Sequence, residues 1–172
     1  KDFDDAVWAE KMANGFRAIV AIADVSHYVK PGDAIDVEAR ERSTSVYFPR
    51  RVIPMLPEAL SNEMCSLKPK VDRLVLACEL DFSIKGQLRR YTFYSAVIHS
   101  HARLTYDQVW AWLSGAEVPS EPDHIALLPN LKVLQYAHTK LRQKREKRGA
   151  MEFETAETII EFADTGKIKS VR

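Results

Sequence analysis

The sequence predicts an α+β domain, with a mixed, largely antiparallel β-sheet flanked by helices. Three observations predict it. Two apolar-rich runs, 73–83 and 88–99, are separated only by Ile84-Lys85-Gly86-Gln87, which reads as a β-hairpin. The longest helical signal, 124–148, follows those strands as a block, which argues against a doubly wound parallel sheet. With 172 residues, 46% hydrophobic and 28% charged, the chain can bury one core and has the composition of a soluble globular protein.

The elements follow in order. Residues 16–25 are rich in β-branched and small apolar types and read as a buried strand. Pro31-Gly32 marks a turn, and 35–43 reads as a short helix with Asp33 as its N-cap. Pro49, Pro54 and Pro57 then punctuate a stretch in which helix and central strand are both disfavoured, and 58–65 suits a short helix. Thr105 and Gln108 fit a capping box that opens a helix ending before Gly115. In 124–148, Ile125, Leu128, Leu131, Leu134, Ala137 and Leu141 form one apolar stripe, and Gly149 is a natural stop. The runs 150–162 and 167–171 read as strands around Asp164-Thr165-Gly166.

Composition excludes some classes. No apolar run approaches the ~20 residues of a membrane-spanning helix. Cys65 and Cys78 are too far apart for a CxxC motif, Cys78 lies in an apolar run and reads as core, and so few cysteines suit a reducing, cytoplasmic setting. The net charge of +1 decides nothing about nucleic acid, because binding follows local patches. Basic residues do cluster at Arg50-Arg51, at Lys68, Lys70 and Arg73, at Arg89-Arg90, and from Lys140 to Arg148; each cluster taken alone reads most simply as a solvated face.

The candidate chemistry begins at Asp2, Asp4 and Asp5. Three carboxylates in four residues repel one another unless a cation or solvent offsets them, and their oxygens are hard ligands suited to Mg²⁺ or Mn²⁺. An extended segment puts Asp2 and Asp4 on one side and Asp5 on the other; a bend would let all three converge. Taken alone the run reads more simply as an exposed acidic terminus, although Phe3, Ala6, Val7 and Trp8 look ready to pack. His99 and His101 share a strand face without a third ligand at suitable spacing. Asp24, after the buried strand, reads as an acceptor for a turn.

Asp2-Phe3-Asp4-Asp5-Ala6-Val7 and Ala21-Ile22-Ala23-Asp24-Val25-Ser26-His27-Tyr28-Val29 closely resemble the catalytic (RNB) domain of the ribonuclease II/R exoribonucleases. The resemblance continues, in the family's order, through the blocks 44–49, 52–57, 60–67, 100–106 and 148–154, nearly the whole chain. The wording at 26–29 and 100–106 is nearer the ribonuclease R branch. The resemblance implies a 3′→5′ exonuclease hydrolysing single-stranded RNA to nucleoside 5′-monophosphates. It implies that Asp2, Asp4 and Asp5 are three of four metal-binding aspartates and that Tyr47, Tyr106 and Phe153 face RNA bases. His101 and Arg103 would stand near the RNA path. It further implies that 172 residues are the N-terminal part of one catalytic domain, truncated at both ends. The fourth aspartate, a phosphate-binding arginine motif, and cold-shock-type and S1-type RNA-binding domains would lie elsewhere in the parent protein. The fragment alone would then be inactive, and the other readings are an RNA-binding fragment or a regulator that does not cut.

Overall fold

A computed structural model describes residues 3–151, 160–163 and 165–171. Its centre is a four-stranded antiparallel sheet in the order β1 (Asp5–Met12), β2 (Gly15–Ala23), β5 (Asp72–Ser83) and β6 (Leu88–His99). The α+β reading and the long hairpin therefore hold. The strand expected over 16–25 is β2, and it ends at Ala23, two residues short of the expected limit, because Asp24 caps a single helical turn, α1 (Val25–Tyr28); β1 is not among the expected strands. Helix α2 (Ala34–Arg42) starts at the expected cap, with the Asp33 side chain accepting a hydrogen bond from the Asp36 N–H.

The proline-punctuated stretch is more ordered than its composition suggests. It forms a two-stranded hairpin, β3 (Val46–Phe48) with β4 (Arg51–Ile53), outside the main sheet. The prolines flank the strands and take no position in the ladder, so no hydrogen bond is lost. The next segment, Ala59–Met64, is helical as expected but π-helical, with the Cys65 N–H donating to the Leu60 carbonyl at 2.8 Å.

Register explains how the sheet is covered. Ala21 pairs with Ala6 and Ala77, and Ala23 with Val75, which pairs with Ala96. Cross-strand partners share a face, so this end carries mostly small side chains. That leaves room for Leu60, Cys65 and Leu67, which complete the buried cluster. Cys78 lies on the other face and is half-buried rather than core; both cysteines are free thiols.

The opposite face, at the opposite end, is covered by α4 (Pro122–Lys147). There Phe16 and Phe82, cross-strand partners, stack at 5.0 Å, and Tyr136 of α4 meets Phe16 edge-on at 5.9 Å. Asn130 donates to the Ala9 carbonyl at 2.9 Å. Proline at the first helical position moves the helix start two residues ahead of the expected one. The predicted stripe faces the sheet around buried Ala137, except Ile125, which is exposed. Beyond α4's reach the same face leaves Val7, Ile22, Leu76, Phe93 and Val97 exposed.

Helix α3 (Tyr106–Ser114) has the predicted capping box, and Gly115 at φ 78° closes it. The last pair, β7 (Ile160–Phe162) and β8 (Ile168–Val171), is antiparallel. Most of the expected strand from 150 lies outside the described residues.

Candidate functional site

The chain enters the sheet under firm control. The Phe3 N–H donates to Ser66 Oγ at 3.2 Å, the Leu67 N–H to the Phe3 carbonyl at 2.8 Å, and the Ala23 N–H to the Asp4 carbonyl at 2.9 Å. Ser66 is fully buried. The segment supplying it is clamped by Arg73, which donates to the Ser66 carbonyl at 2.9 Å and to the Glu63 carbonyl at 3.0 Å. Asp4 and Asp5 are thus held by their backbone while both remain exposed. An acidic tail loose in solvent does not describe them.

Burial pushes the Cys65 thiol pKa up, and the negative charges of Asp4 and Asp24 push it further. Both carboxylates therefore lie within electrostatic reach of one point at the sheet end. Asp24 itself is occupied as expected. It accepts from Ser26 Oγ at 2.6 Å and from the His27 N–H at 3.1 Å, and the first of these bonds does most to hold its pKa below the usual carboxylate value.

Beside this end lies an open cleft of about 800 Å³. Its walls come from Phe3, from the β3–β4 hairpin (Tyr47 and Val52), from the π-helical segment (Ser61 and Asn62), and from the lead into α3 (Arg103 and Tyr106). Tyr47 is 69% exposed and Tyr106 97%. Large aromatics left open in a concave site are the unusual observation, since packing normally takes them. The Arg103 guanidinium lies 4.2 Å over the Phe3 ring. Among the described residues Arg103 forms no ion pair, although the carboxylates of Glu58 and Asp107 line the same cleft.

The structure therefore gathers Tyr47, Tyr106 and Arg103 around one cleft that Phe3 also lines. Asp4 and Asp5 follow Phe3 in the chain but do not line it: Asp5 pairs with Ile22 and the Asp4 carbonyl with the Ala23 N–H, so the segment is extended and the two side chains alternate faces without the bend that would make them converge. His101 does not line it; that ring lies within electrostatic reach of Asp123 at the start of α4. Asp2 and Phe153 lie outside the described residues. Among the described residues no three His, Cys, Asp or Glu side chains converge as a metal cluster, and none of the helices is long and apolar enough to cross a membrane. Sequence reasoning missed Phe3, Ser61, Asn62 and Asp107 as lining residues. Asn62 stands in one of the blocks that carried the family resemblance, but its position in the wall depends on the π-turn, which no periodicity announces.

A family model described as the RNB domain matches residues 1–172, so the chain belongs to the RNB domain family. Within it the chain is similar to ribonuclease R. It is 51% identical over 172 residues to ribonuclease R of Vibrio cholerae, covering 99% of this chain and 21% of that protein. It is 49% identical to the Escherichia coli ribonuclease R over the same length, with 99% and 21% covered. The structure of Mycoplasma genitalium RNase R in complex with ribose methylated single-stranded RNA superposes with a TM-score of 0.92 at 35% identity, over 100% of this chain and 27% of that one. The chain thus spans about a fifth of the length of the curated relatives it matches.

Proposed function

We propose that the polypeptide containing this chain is a 3′→5′ exoribonuclease that hydrolyses single-stranded RNA to nucleoside 5′-monophosphates. The observation that carries the reading is the cleft itself. Two exposed tyrosines and a cation without an ion-pair partner share a concavity with Phe3, the residue that leads into Asp4 and Asp5, in a chain of the RNB family. Single-stranded RNA gripped without regard to sequence needs flat stacking partners and cations for its phosphates; the two tyrosines supply the first and Arg103 the second, beside the carboxylates of Glu58 and Asp107.

The chain's own residues divide the work. Tyr47 and Tyr106 offer ring faces to bases, each worth about 1–3 kcal/mol of stacking. Phe153 is the expected stacking partner at the far end of the base stack. Arg103, steadied by the Phe3 ring, offers a forked donor to phosphate oxygens. The divalent ion that the family resemblance implies fits the donor chemistry: Asp4 and Asp5 are exposed carboxylates on an anchored backbone, and Asp2 is their neighbour in sequence. These three would hold Mg²⁺, or Mn²⁺ in its place. When bound, such an ion supplies a Lewis acid that offsets the charge building on the phosphate oxygens. Asp24, fixed by its hydrogen bonds to α1, adds negative potential nearby without giving up its capping role.

We read these 172 residues as the N-terminal part of a single catalytic domain. The exposed apolar side chains Val7, Ile22, Leu76, Phe93 and Val97 support this, because a complete domain would cover such a face. In this reading the domain works in the cytoplasm with cold-shock-type and S1-type RNA-binding partners on the same polypeptide, and the fragment alone does not cut.

The test is Asp4→Asn in the full-length polypeptide, followed on a gel with uniformly labelled single-stranded RNA. Mononucleotide release should fall by orders of magnitude while RNA binding persists. A variant that still releases mononucleotides at the normal rate defeats the assignment.

A further inference from the structure

The end of α4 is unlike the rest of the molecule. From Lys140 to Arg148 it carries six cations and one anion, Glu146, a net +5; the whole chain is only +1, which leaves −4 for everything else. Every residue from Arg142 to Ala150 is exposed. Arg142 pairs with Glu146 at 3.1 Å, but among the described residues Lys144, Arg145, Lys147 and Arg148 form no ion pair. Favourable interaction with the helix dipole explains cations in one last turn. It does not explain a stretch of more than two turns.

The placement of this arm is informative. Helix α4 passes Ala9 at Asn130 and reaches the β5–β6 turn at Lys140, whose backbone packs against Gly86. That turn lies at the Met12–Gly15 end of the sheet, opposite the end that holds Asp5. Past Lys140 the helix continues to Lys147, about 10 Å at 1.5 Å per residue. From Asp5 to Met12 the strand spans about 23 Å at about 3.3 Å per residue. At about 3.4 Å per stacked nucleotide, that distance is roughly seven nucleotides of one strand. Later in the chain, Phe162 of β7 meets Arg50 of the β3–β4 hairpin at 4.5 Å.

We propose that this basic arm is a second RNA contact, holding backbone phosphates of the same strand several nucleotides 5′ of the end in the cleft. The inference rests on the exoribonuclease reading and adds a surface to it. The contact is with charge and not with bases, because the exposed turns carry cations and no aromatic side chain.

The experiment uses the full-length polypeptide with Arg145, Lys147 and Arg148 all changed to Gln, and a control in which they become Lys, Arg and Lys. Binding is measured across a salt series with single-stranded RNA of about 4 and about 20 nucleotides, lengths that bracket the reach of one strand. For the long RNA the neutral variant should bind more weakly, with its log–log salt slope shallower by about 2, since each phosphate that a cation neutralises on a single strand adds about 0.7 to the slope. The short RNA should be bound as by the wild type, and the charge-retaining control should match the wild type on both. An unchanged slope on the long RNA, an equal weakening on both lengths, or a weakening in the charge-retaining control each overturns the proposal. So does an arm that leaves RNA untouched and instead binds an acidic protein. A wild type that binds neither RNA overturns the exoribonuclease reading itself, which separates the two failures.

Discussion

Two groups of aromatic residues in this chain have opposite fates. Phe16 and Phe82 stack between the sheet and α4, Tyr136, itself 42% exposed, closes over Phe16 edge-on, and Phe16 is 1% exposed. Tyr47 and Tyr106, of the same size and chemistry, stand open in the cleft. The difference is one of address. Phe16 and Phe82 occupy paired ladder positions, where register forces them onto one face and a helix can cover both. Tyr47 sits on a short hairpin outside the main sheet, and Tyr106 is the first residue of a helix. Positions fixed by a scaffold but not packed by it are where ligand contacts are carried.

The comparison breaks first on the buried side. Phe16→Ala should cost about 3–5 kcal/mol in denaturant unfolding, because the ring has no solvent to fall back on and its removal leaves a cavity against Phe82 and Tyr136. A change within experimental error would mean that the α4 end is not the packed region it is taken to be. On the open side, Tyr47→Ala in the full-length polypeptide should leave the unfolding midpoint unchanged and weaken RNA binding by roughly 1–3 kcal/mol. If instead the protein loses stability with its affinity intact, Tyr47 is a packing residue. Thr105→Ala lies between the two regions. It removes the hydrogen bond from the Gln108 N–H, 3.3 Å from Thr105 Oγ1, so the helix should lose about 1 kcal/mol. The loosened first turn carries Tyr106, so a smaller drop in RNA affinity should accompany it; calorimetry and a binding titration on one preparation would separate the two effects.

The same contrast decides what the sequence could show. The long hairpin was legible because apolar content over two 12-residue strands leaves few alternatives. The capping box and the Asp33 cap were legible because each needs only two or three neighbouring residues. The cleft was not legible from periodicity. Phe3, Asn62, Arg103 and Tyr106 come from separate places along the chain and meet only through tertiary contacts such as the Ser66 bond to the Phe3 N–H. The aspartate run alone pointed to a loose acidic end, and ordered motifs along the chain were needed to read it as a site. His101 belongs to an equally recognisable block, and the structure places its ring within electrostatic reach of Asp123 and outside the cleft wall.

The smallest effect tests electrostatics at the packed end. Arg17 donates from Nε and Nη2 to Asp81 at 2.8 and 3.2 Å, across paired positions of β2 and β5. Those bonds, chiefly, hold the Asp81 carboxyl below its ordinary 3.8. A carboxyl whose pKa is lower in the folded state contributes stability that is complete above the unfolded value and disappears as pH falls through the folded one. The wild type should therefore lose thermal stability progressively below about pH 4. Asp81→Asn should show a shallower acid limb and little change near neutrality beyond the loss of the pair itself. The flattening should be partial, since Asp24, Asp33, Asp36 and Asp123 are also held low by hydrogen bonds and titrate in the same window. An acid limb as steep as the wild type's would place the acid sensitivity in those other hydrogen-bonded carboxylates, and would leave the Arg17–Asp81 pair as cross-strand geometry without a measurable share in stability.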